Sequence, residues 1–151
     1  MKILLGRSEV NPDMPDSHGR TPLSHAASNG HEEVLEVLLR CEEVNPDRPD
    51  DYARTPLLYA VFQGHEGVVK TLLEREDVNP EKQNHRGQTP LSCAVQHGHE
   101  GIVKMLLRRE GVNPDRLDKC GRTPRIYAAR GGHKKVIALL QPHEELTPGA
   151  T

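Results

Sequence analysis

The 151 residues predict an all-α solenoid, in which helix–turn–helix units stack side by side and β-turn or hairpin loops project from one edge. Thr-Pro recurs at Thr21-Pro22, Thr55-Pro56, Thr89-Pro90 and Thr123-Pro124, always 34 residues apart. Gly-His keeps the same step, at Gly30-His31, Gly64-His65, Gly98-His99 and Gly132-His133. Val-Asn-Pro keeps it too, at 10–12, 44–46, 78–80 and 112–114, and leucine pairs at 38–39, 72–73 and 106–107 complete the frame. A fixed period of this size marks one supersecondary unit copied and stacked, so function is expected on an extended surface.

The chain opens inside a unit. Met1 falls at the position of Leu35, so residues 1–18 read as a partial N-terminal repeat made of a second helix and its loop. No first helix covers Ile3 and Leu4. Either the chain is a piece of a longer array or this end is a makeshift cap, and a bare end should fray.

Residues 19–52 are the first full repeat. Thr21 precedes a proline and is pushed into the extended region, the backbone conformation of an N-cap. Pro22 then starts a helix at its first position, where a missing N–H costs nothing. Leu23, Ala26 and Ala27 share one face of that helix, and Asn29-Gly30 ends it, with Gly30 suited to a left-handed C-terminal position. A second helix from about His31 to Arg40 carries the pairs Val34/Leu38 and Leu35/Leu39 on an apolar stripe. It stops before Asn45-Pro46, and the Pro- and Asp-rich run from Asp47 leads through a projecting turn to the next Thr-Pro.

Residues 53–86 and 87–120 repeat this pattern, with one conspicuous change. Ala53 occupies the turn position of Gly19, Gly87 and Gly121, where a positive φ would cost alanine about 1 kcal/mol. Residues 121–151 read as a C-terminal capping repeat and tail. Arg125 replaces the core leucine of Leu23, Leu57 and Leu91, so that face should be open to water. The last helix should end at Gln141-Pro142, and Leu146-Thr147-Pro148-Gly149 looks like a worn copy of Val-Asn-Pro-Asp.

Gly87-Gln-Thr-Pro-Leu-Ser-Cys-Ala-Val-Gln-His-Gly-His99, continuing to the paired leucines and Val112-Asn113, resembles the ankyrin repeat, and two further repeats fit as well. The likeness covers about residues 1–141, with one added residue per repeat in the loop after the second helix. Long repeats ending in Val-Asn-Pro-Asp resemble those common in large fungal multidomain proteins. The resemblance implies a protein–protein interaction module whose projecting turns and first helices form a concave groove. One departure stands out. The family's usual histidine is Ser24, Leu58, Ser92 and Ile126 here, so its hydrogen bonds to the loop backbone should be missing.

Composition narrows the function. The chain is 34% hydrophobic with a mean hydropathy of −0.68, which suits a stack only two layers deep. A net charge of −2 gives no electrostatic reason to expect nucleic acid or an anionic membrane, so a protein partner is expected. Cys41, Cys93 and Cys120 are odd in number and lack CxxC spacing, which favours reduced thiols in an intracellular setting, cytoplasmic or nuclear. The apolar run at Ile3-Leu4-Leu5 is too short for a signal peptide, and no run approaches the ~20 residues of a membrane helix. A soluble monomer is expected.

Chemistry is not expected. His31, His65, His99 and His133 share the 34-residue period and therefore one structural task, and no general base or metal site needs four copies along a rod. Asp13-x-x-Asp16, Asp47-x-x-Asp50 and Asp115-x-x-Asp118 lack the spacing and ligand count of a calcium loop, so bonds from their side chains to turn backbone are the better account. No Walker A, GxSxG or HExxH motif occurs. The reading is a non-enzyme with no metal and no cofactor.

Mapped by repeat position, the groove would present Tyr52, Arg54, Arg86, Gln88 and Arg122 on the turns and Phe62, Gln63, Gln96 and His97 on the first helices. Phe62, the sole phenylalanine, stands where other repeats carry Ser28, Gln96 and Arg130. With Tyr52 and Arg54 it makes the aromatic and arginine cluster typical of a binding hot spot. The alternative is an aromatic that covers the neighbouring repeat. Tyr59 and Tyr127 fall on the alanine-rich side and should be packed. The second functional reading is a C-terminal scaffold segment of a longer array.

Overall fold

The computed structural model describes residues 10–141, which carry eight helices and, among the described residues, no strand. The expectations for Met1, Ile3 and Leu4 and for residues 146–149 lie outside the described residues. The helices come in four pairs: α1 (Pro22–Asn29) and α2 (Glu32–Leu39), α3 (Pro56–Gln63) and α4 (Glu66–Leu73), α5 (Pro90–Gln96) and α6 (Glu100–Arg108), α7 (Pro124–Gly131) and α8 (Lys134–Leu139).

Thr21, Thr55, Thr89 and Thr123 are extended, with ψ near 163°, and each side-chain oxygen accepts the amide three residues on. Proline follows at the first helical position every time. The first helices end on Gly30, Gly64 and Gly132 at φ of 67–80°, and α5 ends one residue early on His97, before Gly98 at φ 69°. These glycines do more than turn the chain. A β-carbon on Gly30, Gly64 or Gly98 would lie 2.7–2.8 Å from the ring of His65, His99 or His133 in the next repeat. His65 and His133 also donate from Nε2 to the carbonyls of Ser28 and Gln96, at 3.1 and 3.2 Å. His65, His99 and His133 are thus wedges between successive repeats, although the buried Nε2 of His99 finds no partner.

The first helices stack on one another in one layer and the second helices in the other. Leu23, Leu57 and Leu91 are fully buried along the first layer, Leu38, Leu72 and Leu106 along the second, and the alanines at 26–27, 60, 94 and 128 let the layers approach. Burial of each leucine stabilises the stack by roughly 1.5–3 kcal/mol. Behind α2, α4 and α6, Asn45, Asn79 and Asn113 accept the amide two residues on, which makes each Asn-Pro-Asp or Asn-Pro-Glu segment a side-chain-closed turn. Arg48 reaches back to Asp13 at 3.1 Å and Lys82 to the Asp47 carbonyl at 2.8 Å, so these loops are tied from repeat to repeat. Arg75 and Arg109 donate to the carbonyls of Leu39 and Arg75, placing cations at the negative ends of the preceding helices.

The face of α7 that carries Arg125 is exposed, as that residue implied. Arg125, Ile126 and Ala129 are exposed on α7, leaving only Pro124, Tyr127 and Ala128 buried. Ala53 has φ 57°, the one non-glycine residue at positive φ among the described residues. Its neighbours make the same contacts as elsewhere, with His85 N donating to Tyr52 O at 3.1 Å, so the alanine is accommodated by strain and not by a changed turn.

Two outcomes follow from this packing. Ala53→Gly should raise the melting temperature by about 2–4 °C, corresponding to ~1 kcal/mol of relieved strain; thermal denaturation showing no change or a fall would refute the strain. Leu72→Ala should lose about 2–5 kcal/mol in urea denaturation, because removing a fully buried side chain leaves a gap that its neighbours fill only in part.

Candidate functional site

Each projecting hairpin is built around one side-chain oxygen. Asp16 Oδ1 accepts the amides of His18 and Arg20 at 2.9 and 3.0 Å, Asp50 Oδ1 those of Tyr52 and Arg54, and Asp118 Oδ1 those of Cys120 and Arg122. The repeated aspartates are therefore turn clasps. Their second oxygens bind outward: Asp16 Oδ2 takes Arg20 Nε and His25 Nε2, Asp50 Oδ2 takes Arg54 Nε and the Tyr59 hydroxyl, and Asp118 Oδ2 takes Arg122 Nε and the Tyr127 hydroxyl. The link from first helix to hairpin that the missing family histidine would have made is supplied one residue further on, by His25, Tyr59 and Tyr127. Burial opposes ionisation of these carboxyls, but the bonds from hydroxyl or imidazole, amide and guanidinium outweigh it. Asp16 and Asp50 titrate below the usual carboxylate range and Asp118 at about 2. Burial, and then the bond to Asp50, push the Tyr59 phenol up to about 12.

The third hairpin replaces all three members of this set at once. Asn84 stands for the aspartate, Gln88 for the arginine and Cys93 for the histidine or tyrosine. Asn84 Oδ1 still accepts two amides, of Arg86 at 2.9 Å and Gln88 at 3.1 Å, so the turn survives without charge. Gln88 folds inward, accepts from Asn84 Nδ2, and donates to Gln96 Oε1 at 2.8 Å and to the Tyr127 hydroxyl at 3.3 Å. Cys93 is too short to fill the place of a phenol ring. A cavity of about 440 Å³ opens there, between the second and third repeats.

The second repeat contributes Tyr52, Arg54, Phe62 and Gln63 to this cavity, and the third contributes Arg86, Gln88, Gln96 and His97. Eight of the nine groove residues read from the sequence thus converge. Arg122 does not: it lies one repeat on, held by Asp118 and stacked 5.1 Å over Tyr127. Gln88 also differs from its expected place on an exposed turn, since it is only 6% exposed and forms the floor. Tyr59, expected to be packed, is half-buried and lines the wall. Leu58, Asn84 and Cys93 are lining residues that the reading missed. A signal for the last two existed in the joint change of the 16/50/84/118 and 25/59/93/127 positions within one repeat.

Phe62 is 56% exposed and Tyr52 55%, so both rings stand at the rim. The Phe62 ring meets His97 edge-on at 4.6 Å, which joins the two readings of this residue: it touches the next repeat and keeps most of a face in water. His97 is fixed by its Nδ1 bond to the Cys93 carbonyl at 2.8 Å and by stacking on His99 at 5.8 Å. Arg54 lies 4.8 Å over both Tyr52 and Tyr59 while its guanidinium holds Asp50, so the side chains of the second-repeat wall are tied to one another.

Chemically, the lining offers aromatic faces, side-chain amides and two guanidinium groups. Its one thiol, Cys93, is pushed up to about 12 by burial and is a poor nucleophile. Among the described residues no three His, Cys, Asp or Glu side chains converge on a point, and Cys41, Cys93 and Cys120 are unbridged. No helix among them is long and apolar enough to cross a membrane.

A family model described as ankyrin repeats in three copies matches residues 1–84 and again residues 75–149. No curated protein sequence matches the chain.

The hairpin clasps make stability depend on pH at both extremes. A carboxyl whose folded value is depressed stabilises the fold above its unfolded value of 3.8, and that contribution is lost as pH falls toward about 2 for Asp118. A phenol whose value is raised stabilises below 10, and its contribution is lost as pH rises toward about 12 for Tyr59. Urea midpoints measured from pH 4 down to 2 should fall, and Asp118→Asn should make that fall shallower, because asparagine keeps the amide bonds, as Asn84 does. An unchanged slope in the variant would show that Asp118 does not drive the acid limb.

Proposed function

The chain belongs to the ankyrin-repeat family, and we propose that it is a non-catalytic interaction module that binds a protein partner through the groove of hairpins and first helices. Repeats of this family generally serve protein–protein interaction. One observation carries the assignment to the groove: the only repeat that abandons the Asp–Arg–aromatic set is the one whose abandonment opens a cavity, and the rim of that cavity bears the exposed rings of Tyr52 and Phe62. An apolar recess edged by aromatic and arginine side chains is where binding energy concentrates in protein interfaces. The frame residues, by contrast, are buried and shared by all repeats.

On this reading residues 1–151 form a single domain working as an intracellular monomer: a partial N-terminal repeat, three full repeats and a C-terminal cap with its tail. The net charge of −2 gives the chain as a whole no attraction to nucleic acid or an anionic membrane.

Affinity capture with the wild-type chain, set beside a Tyr52→Ala, Arg54→Ala, Phe62→Ala triple variant, tests the groove. At least one protein should be lost by the triple variant, and identical captures would remove this surface as the binding site. Phe62→Ala alone should leave stability within ~0.5 kcal/mol of wild type, as a surface substitution does. It should weaken the captured complex by more than ~1 kcal/mol in a titration. Unfolding of Phe62→Ala would show that this ring belongs to the frame.

A further inference from the structure

The groove's charge is not the chain's charge. Hairpin tips and first helices, taken as residues 16–30, 50–64, 84–98 and 118–132, carry seven Lys and Arg against four Asp and Glu, although the chain as a whole is slightly acidic. Three of the four acids, Asp16, Asp50 and Asp118, are ion-paired within their own hairpins. At the cavity the imbalance is sharper. No carboxylate lines it, because Asn84 stands where the other hairpins place an aspartate. Arg54 is committed to Asp50, but Arg86 is exposed at the rim and, among the described residues, meets no carboxylate within 4 Å.

We infer, building on the interaction-module reading, that the cavity receives a bulky apolar side chain from a partner protein segment in which a neighbouring carboxylate pairs with Arg86. The recess of about 440 Å³ is large enough for one aromatic or long aliphatic side chain with room for its backbone, and the surrounding rings supply apolar contact. The guanidinium of Arg86 supplies a planar fork that matches a carboxylate. A basic segment is disfavoured at the same place, because Arg86 faces it without a compensating acid and Arg54 is already paired with Asp50. Segment charge therefore selects the partner, and the apolar side chain anchors it.

A random dodecapeptide library displayed on phage and panned on the whole chain tests this directly. The expected consensus is an aromatic or leucine residue adjacent to Asp or Glu. A synthetic peptide of the consensus, followed by fluorescence anisotropy, should lose at least tenfold in affinity with Arg86→Glu and less with Arg86→Lys. Cys93→Tyr, which restores the ring present at Tyr59 and Tyr127, should fill the recess and abolish binding; Arg86→Glu lies on the surface and serves if Cys93→Tyr does not fold. A basic or uncharged consensus, no enrichment, an affinity indifferent to Arg86→Glu, or self-association of the wild type that Phe62→Ala dissolves would each overturn the inference. If any of these is found while the triple variant still loses a captured protein, the interaction-module reading stands and the partner chemistry is wrong. If the triple variant also captures everything the wild type does, both fall together.

Discussion

In every hairpin one side-chain oxygen accepts the amides two and four residues on, and this pair of bonds sets the tip at the angle from which it can reach the next. The reach is a backbone bond, from Asp51 N to His18 O, from His85 N to Tyr52 O and from Lys119 N to Arg86 O, each 3.1 Å. The tie is carried to the helices behind, since each hairpin runs straight into the Thr-Pro that caps its first helix. The clasp requires only Oδ1. The other terminal atom can be a charged oxygen, as in Asp16, Asp50 and Asp118, or an amide nitrogen, as in Asn84, with no change to the turn. Fold and groove chemistry are thereby separated at the level of single atoms.

That separation accounts for the cavity. In three repeats the second carboxylate oxygen gathers an arginine and an imidazole or phenol over the first helix, which closes the surface with a polar knot. Where the charge is absent, arginine and phenol lose their common partner, and glutamine and cysteine can take their places. Gln88 turns to Gln96 and Tyr127, and Cys93 withdraws to the floor. The recess is thus the direct geometric result of a neutral hairpin between two charged ones, and it sits against the one repeat that offers a phenylalanine.

Much of this was readable in the chain itself. Pre-proline restriction and left-handed glycine placed the ends of α1, α3 and α7 to the residue, and the period showed that the histidines were structural. Ala53 was identified as strained because three glycines defined what its position needs. Gln88 was misplaced because repeat position gives the direction from which a side chain starts, not where it goes. Gln88 left the turn when its usual carboxylate partner was gone, and Arg122 stayed on Asp118, one repeat away from the recess. The cavity was hidden for a related reason: it is a volume left by a ring absent from Cys93, bounded by residues up to 45 positions apart, from Tyr52 to His97. No single position announces an empty space.

The bonds between successive tips have a mechanical side. They join backbone to backbone and have little slack, whereas the back of the stack is tied through long side chains such as Arg48, Lys82 and Arg75, whose several rotatable bonds give easily. The array is thus tied by main chain along one edge and by side chains along the other. The spacing of the hairpin edge is thus set by main chain, whatever side chains the repeats carry there.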